Sequence, residues 1–199
     1  MHIKYNARPD HLQDQYEDFS TITLRSLRHT LAESFLSLPE PVIEELMKAY
    51  DSLSTFPDVG PALTKLASEQ NITAVVFSNG TQAMVSASVN HSPSLSPHAK
   101  VFKDIITVGE VKKFKPSPAV YKHLARKTGK EGKMGEMWLV SGNPFDVVGA
   151  RSVGMQAAWV DRGGSGFTDG LVEGEKGKPT IVIESLEEVV DVVTRHAEK

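Results

Sequence analysis

Hydroxyl, amide, ammonium and carboxylate side chains follow three apolar segments of the chain at the points where those segments end. They are Ser78, Asn79, Lys115, Ser141, Asn143 and Asp146. Hydroxyl and amide groups supply oriented donors, and an ammonium supplies positive charge, so the three together can stabilise an anion. Two of the stretches also open helices, whose N-termini favour negative charge. These residue types therefore indicate an anion site.

Each of these residues also has an ordinary structural explanation. Ser78 and Asn79 could simply cap a helix, and Asn143 has the residue type of an N-cap. Asp146 in a first helical turn is favoured by the helix dipole. A lone Lys115 would be a solvated loop lysine. Their coincidence at successive strand ends, in one order along the chain, favours a site.

The elements that would position these groups alternate between strand and helix from about residue 56 onward. Apolar segments predict strands over 72–77, 104–108, 137–141, 156–160 and 180–183. Helical patterns lie between them, with Asp58 and Ser117 as expected N-caps. Alternating elements with continuous apolar strands predict a parallel sheet covered by helices on both faces. Ligands of such sheets bind at the carboxyl ends of the strands.

The chain before this alternating part is predicted to be helical. Apolar residues recur at spacings of three, four and five, and a second helix runs through LPEPVIEELMKAYDSL with Pro41 near its first turn. We therefore divide the chain into a helical part, 1–55, and an α/β part, 56–199. The Pro- and Ser-rich segment 90–102 is predicted to be a flexible connection.

Composition narrows the class of protein. The chain has 199 residues, is 40% hydrophobic and carries a formal net charge of −3 with well-mixed signs, which argues against a nucleic-acid partner. It contains no cysteine, so disulfides and thiol chemistry are excluded. No apolar run is long enough to span a membrane, and the first residues do not resemble a signal peptide. These features predict a soluble, cytoplasmic protein.

Three motifs, FSNGT, KPSPAVY and SGNPFDVVGARSVGMQAAWVDR, occur in an order that resembles the haloacid dehalogenase superfamily. Within it the chain resembles the type II 2-haloacid dehalogenases, and YEDFSTITLRSLRHTL is similar to their helical cap. The resemblance covers the chain from about residue 12 to its C-terminus. It implies an α/β fold with a three-layer, Rossmann-like parallel sheet and an N-terminal helical cap.

The resemblance assigns catalytic roles to four residues. Lys115 would neutralise the anionic site and orient the reacting carboxylates, while Ser141, Asn143 and Asp146 would surround the hydrolytic water. The implied reaction is a two-step hydrolysis in which an aspartate attacks the halogen-bearing carbon and water then hydrolyses the resulting ester. No cofactor is implied.

Substrate-binding roles follow for five further residues. Ser78 and Asn79 would bind the carboxylate of a small 2-haloacid and help receive the halide, and Tyr121 matches a tyrosine of the lysine motif. Phe145 stands where members often carry a pocket-lining tryptophan, and Phe19 of the cap would face the same pocket.

A magnesium-dependent phosphatase is the main alternative enzyme. Phosphatases of the superfamily carry an aspartate four positions before the residue that matches Asp146, and Gly142 stands there in this chain. One charged ligand for Mg²⁺ is therefore missing, which favours the dehalogenase and predicts no bound metal.

The nucleophilic aspartate has no match in this sequence. In the family it follows a first, central strand that would lie between the strands ending near Ser78 and Ser141. We therefore predict a shortened version of a longer protein, a gap filled by another strand, or a catalytically inactive binding module. Dimers are common in the group, so a homodimer is also an open prediction.

Overall fold

The computed structural model describes residues 16–49, 53–170 and 172–197. The α-helices are α1 (Phe19–Glu33), α2 (Glu40–Ala49), α3 (Val59–Ala67), α4 (Gln82–His91), α5 (Pro118–Lys127), α6 (Pro144–Ser152) and α7 (Val189–Ala197). The strands are β1 (Ala74–Ser78), β2 (Phe102–Thr107), β3 (Trp138–Ser141), β4 (Gln156–Val160) and β5 (Ile181–Ile183). The predicted α/β class is confirmed, and the alternation begins at α3.

The strands form two parallel sheets. In the first, β1 pairs with β2, and Ser78 at the end of β1 lies opposite Thr107. In the second, the order is β3-β4-β5, and both ladders are parallel. No backbone ladder joins β1 to β3 in the described part of the chain, so each of these strands has one unpaired edge there.

Side chains nevertheless join the two sheets into one core. Leu139 of β3 and Ile106 of β2 pack with Val120 and Leu124 of α5, and Phe77 of β1 packs against the same cluster. On β3 itself, the neighbouring Val140 belongs to a different cluster with Val192 of α7. Because successive side chains of a strand point to opposite faces, helices cover both faces of this sheet.

Several helices start at residues whose side chains cap them. The Thr81 hydroxyl accepts a hydrogen bond from the Met84 N–H at 3.2 Å and starts α4 next to Ser78. Ser185 and Glu188 form the predicted capping box, although it opens a short 3₁₀ helix, Leu186–Glu188, that leads into α7. Ser117 stands at the predicted N-cap position of α5, but its side chain makes no capping hydrogen bond.

Asp58 also stands at a predicted N-cap position without capping its own helix. Its Oδ2 atom instead accepts hydrogen bonds from the Leu186 N–H and the Arg162 Nε–H, both at 2.9 Å. Asp58 therefore ties the start of α3 to the turn before α7, a long-range role that a local sequence pattern does not contain. Burial raises the pKa of Asp58, but these hydrogen bonds and the Arg162 charge outweigh it and leave the pKa below its usual value.

Replacing Asp58 by asparagine is expected to lower the free energy of unfolding by about 1–2 kcal/mol at pH 7, since the ion pair with Arg162 is lost. A depressed carboxyl pKa contributes stability above the ordinary value of about 4 and loses it as the pH falls through the lower folded-state value. The stability difference between parent and D58N should therefore shrink below about pH 4. Urea unfolding at pH 7 and pH 3 measures this, with exposed Glu131→Gln as the control. A difference that is constant with pH would contradict it.

Where the helical part is described, it contains α1 and α2, and an ion pair between Arg28 of α1 and Glu40 of α2 links the two helices. Several apolar side chains between and on these helices are exposed: Phe35 at 98%, Leu36 at 61% and Leu46 at 45%. Residues 1–15 and 50–52 of the proposed helical domain lie outside the described residues, so the boundary at residue 55 stays a prediction, as does a homodimer. Among the described helices, none combines the length and apolarity that crossing a membrane requires.

Candidate active site

The carboxyl ends of β1 and β3 bring the three motif stretches together. The Lys115 ammonium, in the loop before α5, contacts the Asp146 carboxylate in the first turn of α6, with an Nζ–Oδ2 distance of 2.8 Å. Only 9% of the Lys115 side chain and 12% of the Asp146 side chain are exposed. Thirty-one residues separate the two in the sequence, so the fold itself creates this buried ion pair.

A second donor contacts the same oxygen of Asp146. The Ser141 hydroxyl donates to Asp146 Oδ2 at 3.2 Å, and the Ser141 Oγ in turn accepts from the Asn143 N–H at 3.0 Å. The other carboxylate oxygen, Oδ1, makes no hydrogen bond within the described part of the chain. One oxygen of Asp146 is thus fixed, and the other remains available to orient a water molecule.

Lys115 is held from the side of β1 as well. Its backbone N–H donates to Asn79 Oδ1 at 2.9 Å, and its Nζ contacts the Phe77 carbonyl oxygen at 3.4 Å. The ammonium also lies 5.1 Å from the centroid of the Phe77 ring, a distance that permits a cation–π interaction. Lys115 therefore connects the end of β1, in the first sheet, with the start of α6, the helix that follows β3 of the second sheet.

Three side-chain oxygens of the site accept hydrogen bonds from nearby backbone N–H groups. Ser78 Oγ accepts from the Gly80 N–H at 3.0 Å, Asn79 Oδ1 accepts from Lys115, and Asn143 Oδ1 accepts from the Phe145 N–H at 3.1 Å. The remaining polar atoms, the Ser78 O–H and the two side-chain amide N–H groups, have no partner among the described residues. At the ends of β1 and β3, donors are thus left over while the side-chain acceptors other than Asp146 Oδ1 are satisfied, which suits an anionic ligand.

Tyr121 lies behind the site rather than on its surface. Its side chain is fully buried, and its hydroxyl donates to the Asp146 backbone oxygen at 3.2 Å. Burial, together with the nearby Asp146 charge, raises the pKa of Tyr121 far above its usual value, so the phenol stays protonated. Its ring packs directly on Gly149 of α6. In this position Tyr121 holds α6 in place through its hydrogen bond to Asp146 and its packing on Gly149. A contact between Tyr121 and the substrate stays a prediction.

The two aromatic residues assigned to the pocket, Phe145 and Phe19, differ in their surroundings. Phe145 is 41% exposed at the start of α6, and Phe19 of α1 contacts Phe114 edge-to-face with a centroid distance of 6.4 Å. Tyr16 also packs on Phe114, at 5.4 Å. Sequence reasoning missed Phe114 and Phe77, although both directly precede a predicted site residue, which is the signal that could have found them.

A side chain at Gly142 would have room. A Cβ atom there would lie 3.6 Å from the Val160 oxygen, which is an ordinary contact. Packing therefore does not explain why glycine stands at the position where the superfamily's phosphatases are expected to carry a carboxylate. Within residues 16–49, 53–170 and 172–197, no three His, Cys, Asp or Glu side chains are grouped so as to hold a metal.

Comparison with protein families matches residues 3–154 to the haloacid dehalogenase-like hydrolases. The chain is 32% identical over 158 residues to (S)-2-haloacid dehalogenase H-109 of Pseudomonas putida, covering 79% of this chain and 67% of that protein. It is 30% identical over 154 residues to (S)-2-haloacid dehalogenase 4A of Burkholderia cepacia, covering 77% and 64%. The matched region thus spans about two thirds of the length of these relatives.

Solved structures agree with the sequence comparison. The L-2-haloacid dehalogenase of Xanthobacter autotrophicus matches with a TM-score of 0.78 at 25% identity, covering 92% of this chain and 78% of the other. A dehalogenase solved with an intermediate complex also matches with a TM-score of 0.78, at 27% identity, covering 92% and 75%. The three-layer, Rossmann-like α/β fold implied by the motifs is therefore confirmed at the level of the fold class.

Proposed function

The chain belongs to the haloacid dehalogenase-like hydrolases, and from that premise we propose that it carries the anion site and the hydrolytic groups of a 2-haloacid dehalogenase. The observation that carries the proposal is the buried Lys115–Asp146 pair at 2.8 Å, surrounded by donors without partners. A 2-haloacid dehalogenase needs such an arrangement, because its substrate carries a carboxylate and its leaving group is a halide anion.

In the first step the substrate carboxylate binds to the free donors at the end of β1. The Ser78 hydroxyl and the Asn79 amide would donate to it, while Lys115 supplies positive potential from its buried position. The substrate carbon is then attacked by an aspartate, a carbon–oxygen bond forms and the carbon–halogen bond breaks, with the electron pair leaving on the halide. The exposed Phe145 would line the side of this pocket.

We place the attacking aspartate on a strand outside the described residues that would lie between β1 and β3. Every residue of β1 is only half-buried, whereas four of the five residues of the interior strand β4 are buried. Unpaired backbone groups at buried edges cost on the order of 1–3 kcal/mol each, against a total stability of roughly 5–15 kcal/mol. A further strand would pair both edges and end beside the Lys115 ammonium, where a carboxylate is stabilised.

In the second step water hydrolyses the ester. The free Oδ1 of Asp146 would accept a proton of that water and direct its oxygen at the ester carbonyl, while Ser141 and Lys115 hold Oδ2 in place. The water oxygen enters the carboxyl group of the aspartate and the bond from its carbonyl carbon to the substrate oxygen breaks. The proton taken by Asp146 passes to the departing alkoxide, so the hydroxy acid leaves with the former nucleophile's oxygen and Asp146 is ionised again. Asn143 would donate to the developing oxyanion through its free amide.

Experiment can distinguish two alternative functions from the proposed dehalogenase. A phosphatase would require Mg²⁺ and a second carboxylate at the position of Gly142 beside Asp146, and the described residues contain no group of three His, Cys, Asp or Glu that could hold a metal. A binding module without turnover would keep ligand affinity and release no halide. Within the resembling group the substrate is a small 2-haloacid, and the proposal assigns that class to this site.

Replacing Asn79 by leucine is expected to weaken binding of (S)-2-chloropropionate by about tenfold to a hundredfold, because a donor to a charged ligand is lost. Titration of the 199-residue chain followed by NMR or calorimetry measures this. Asn90, an exposed amide on α4, provides the matched control Asn90→Leu. Neutral 2-chloropropionamide should bind the parent weakly. Equal affinity of N79L and parent for the carboxylate would contradict the proposed anion site.

A further inference from the structure

A cavity of about 350 Å³ lies along β2, and none of the predicted site residues lines it. The polar residues that line it are Gln82, Asp104, Thr107, Glu110, His123 and Lys127. Four consecutive residues of β2, 104–107, form one wall. The volume is in the range of pockets that hold small molecules.

His123 is a buried group that the proposed reaction does not use. It lies on α5 and is only 4% exposed, yet its ring makes no hydrogen bond within the described residues. Burial lowers the pKa of His123, the Glu110 charge raises it, and the Lys127 and Arg126 charges lower it, so that the net shift is downward. The ring is therefore neutral at pH 7 and presents one N–H donor and one lone pair. The ring nitrogens are not among the fully buried unpaired atoms of the described residues, so they are open to the cavity, where an N–H group of a ligand can donate to the lone pair.

The charged residues at this cavity leave more free hydrogen-bond acceptors than free donors. Lys127 Nζ pairs with Glu110 Oε1 at 2.8 Å, so the single ammonium among the lining residues is already used. Asp104 Oδ1 accepts from the Ile105 N–H at 2.8 Å. Each carboxylate keeps a second oxygen that has no hydrogen bond in the described part of the chain. With a neutral histidine, two carboxylates face one ammonium, and the lining carries net negative charge.

We propose that this cavity binds a small organic cation bearing N–H donors, a guanidinium or primary ammonium group, through the Asp104 carboxylate and the His123 ring. An anion would meet two carboxylates with the ammonium already paired. A bare metal ion lacks its ligands, since the described residues contain no three His, Cys, Asp or Glu in metal-binding geometry. A cation with N–H donors satisfies the acceptor oxygens and the imidazole lone pair together.

The test uses two monocations of similar size on the full 199-residue chain at fixed ionic strength. Butylguanidinium carries N–H donors, and butyltrimethylammonium carries the same charge without them. Binding is followed through the His123 ring nitrogens in long-range ¹H–¹⁵N NMR spectra and, for every variant including His123→Leu, through the backbone amide signals of residues 104–107, which line the cavity. We expect saturable binding of butylguanidinium with a dissociation constant of the order of 1 mM, and no saturation with butyltrimethylammonium.

Two substitutions separate this site from a general attraction of cations. Asp104→Asn keeps the oxygen that accepts from the Ile105 N–H and removes only the charge, so the exposed position should not disturb folding. His123→Leu removes the buried ring, and circular dichroism checks that this variant folds. Each should weaken butylguanidinium binding by about tenfold or more. Glu131→Gln, on an exposed loop, should leave it unchanged.

The proposal is overturned if butylguanidinium does not saturate, if both cations bind equally, or if Asp104→Asn leaves the affinity unchanged. Asp104→Asn alone decides the last point, so a His123→Leu variant that fails to fold does not leave the question open. None of these readouts depends on halide release, and the result is independent of the dehalogenase proposal.

Discussion

Replacing Lys115 by methionine is expected to abolish measurable binding of (S)-2-chloropropionate and to destabilise the folded chain. Methionine preserves the length of the side chain but leaves Asp146, which is 12% exposed in its side chain, without its cation. Removing one partner of a buried ion pair costs roughly 3–5 kcal/mol, since the remaining charge stays buried. Ligand titration and urea unfolding of the same samples measure the two effects.

Lys113, two residues earlier and exposed, provides the matched control. Lys113→Met changes the net charge by the same amount and should alter affinity and stability little. Replacing Lys115 and Asp146 together, by methionine and leucine, should recover a large part of the lost stability while leaving ligand binding absent. A K115M variant that binds the ligand like the parent would contradict the role given to the ammonium.

Replacing Gly149 by alanine should destabilise the chain by about 3 kcal/mol, near the upper end for overpacked cores. A Cβ at this position would lie 2.2 Å from the Tyr121 hydroxyl oxygen and 2.7 Å from two ring carbons. Tyr121 is fully buried in the core cluster, so moving its ring also displaces the side chains packed around it. Because the same hydroxyl donates to the Asp146 backbone oxygen, displacing the ring also shifts the first turn of α6.

Gly170→Ala is the control, since a Cβ there meets nothing within 4 Å. Adding Tyr121→Phe to Gly149→Ala removes the closest atom but leaves the two ring carbons at 2.7 Å, so only part of the stability should return. The midpoint of urea unfolding is measured for the parent and for all three variants. An unchanged midpoint for Gly149→Ala would mean that α6 and α5 separate freely, contrary to the packing described.

The sequence predicts the alternating part of the fold well because its strands are short and continuously apolar. The strand predicted over 156–160 coincides with β4, and the others differ from the structure by one or two residues at their ends. Long-range contacts are not encoded in such patterns. The Pro- and Ser-rich segment 90–102, predicted to be flexible, contains instead a 3₁₀ helix, Ser96–Val101, that packs against α3 and α4.

In the candidate site, too, the residues could be predicted from the sequence but their long-range contacts could not. Residue type and motif order predicted that Lys115 and Asp146 belong to one site. No local sequence pattern could predict that the two side chains form a buried ion pair. The supporting contacts of Phe77 and Tyr121 depend on how β1, α5 and α6 pack, which the sequence does not display. The placement of a further strand between the strands that end near Ser78 and Ser141 came from the family resemblance and stays a prediction.

Halide release from (S)-2-chloropropionate tests the central claim most directly. It is measured with and without EDTA, on the 199-residue chain and on a form extended upstream by an encoded strand that ends in aspartate. The account predicts release by the extended form that EDTA does not affect, and none by the shorter chain. An extended form that binds the acid but releases no halide, or that releases phosphate from phosphoesters only with Mg²⁺, would contradict it.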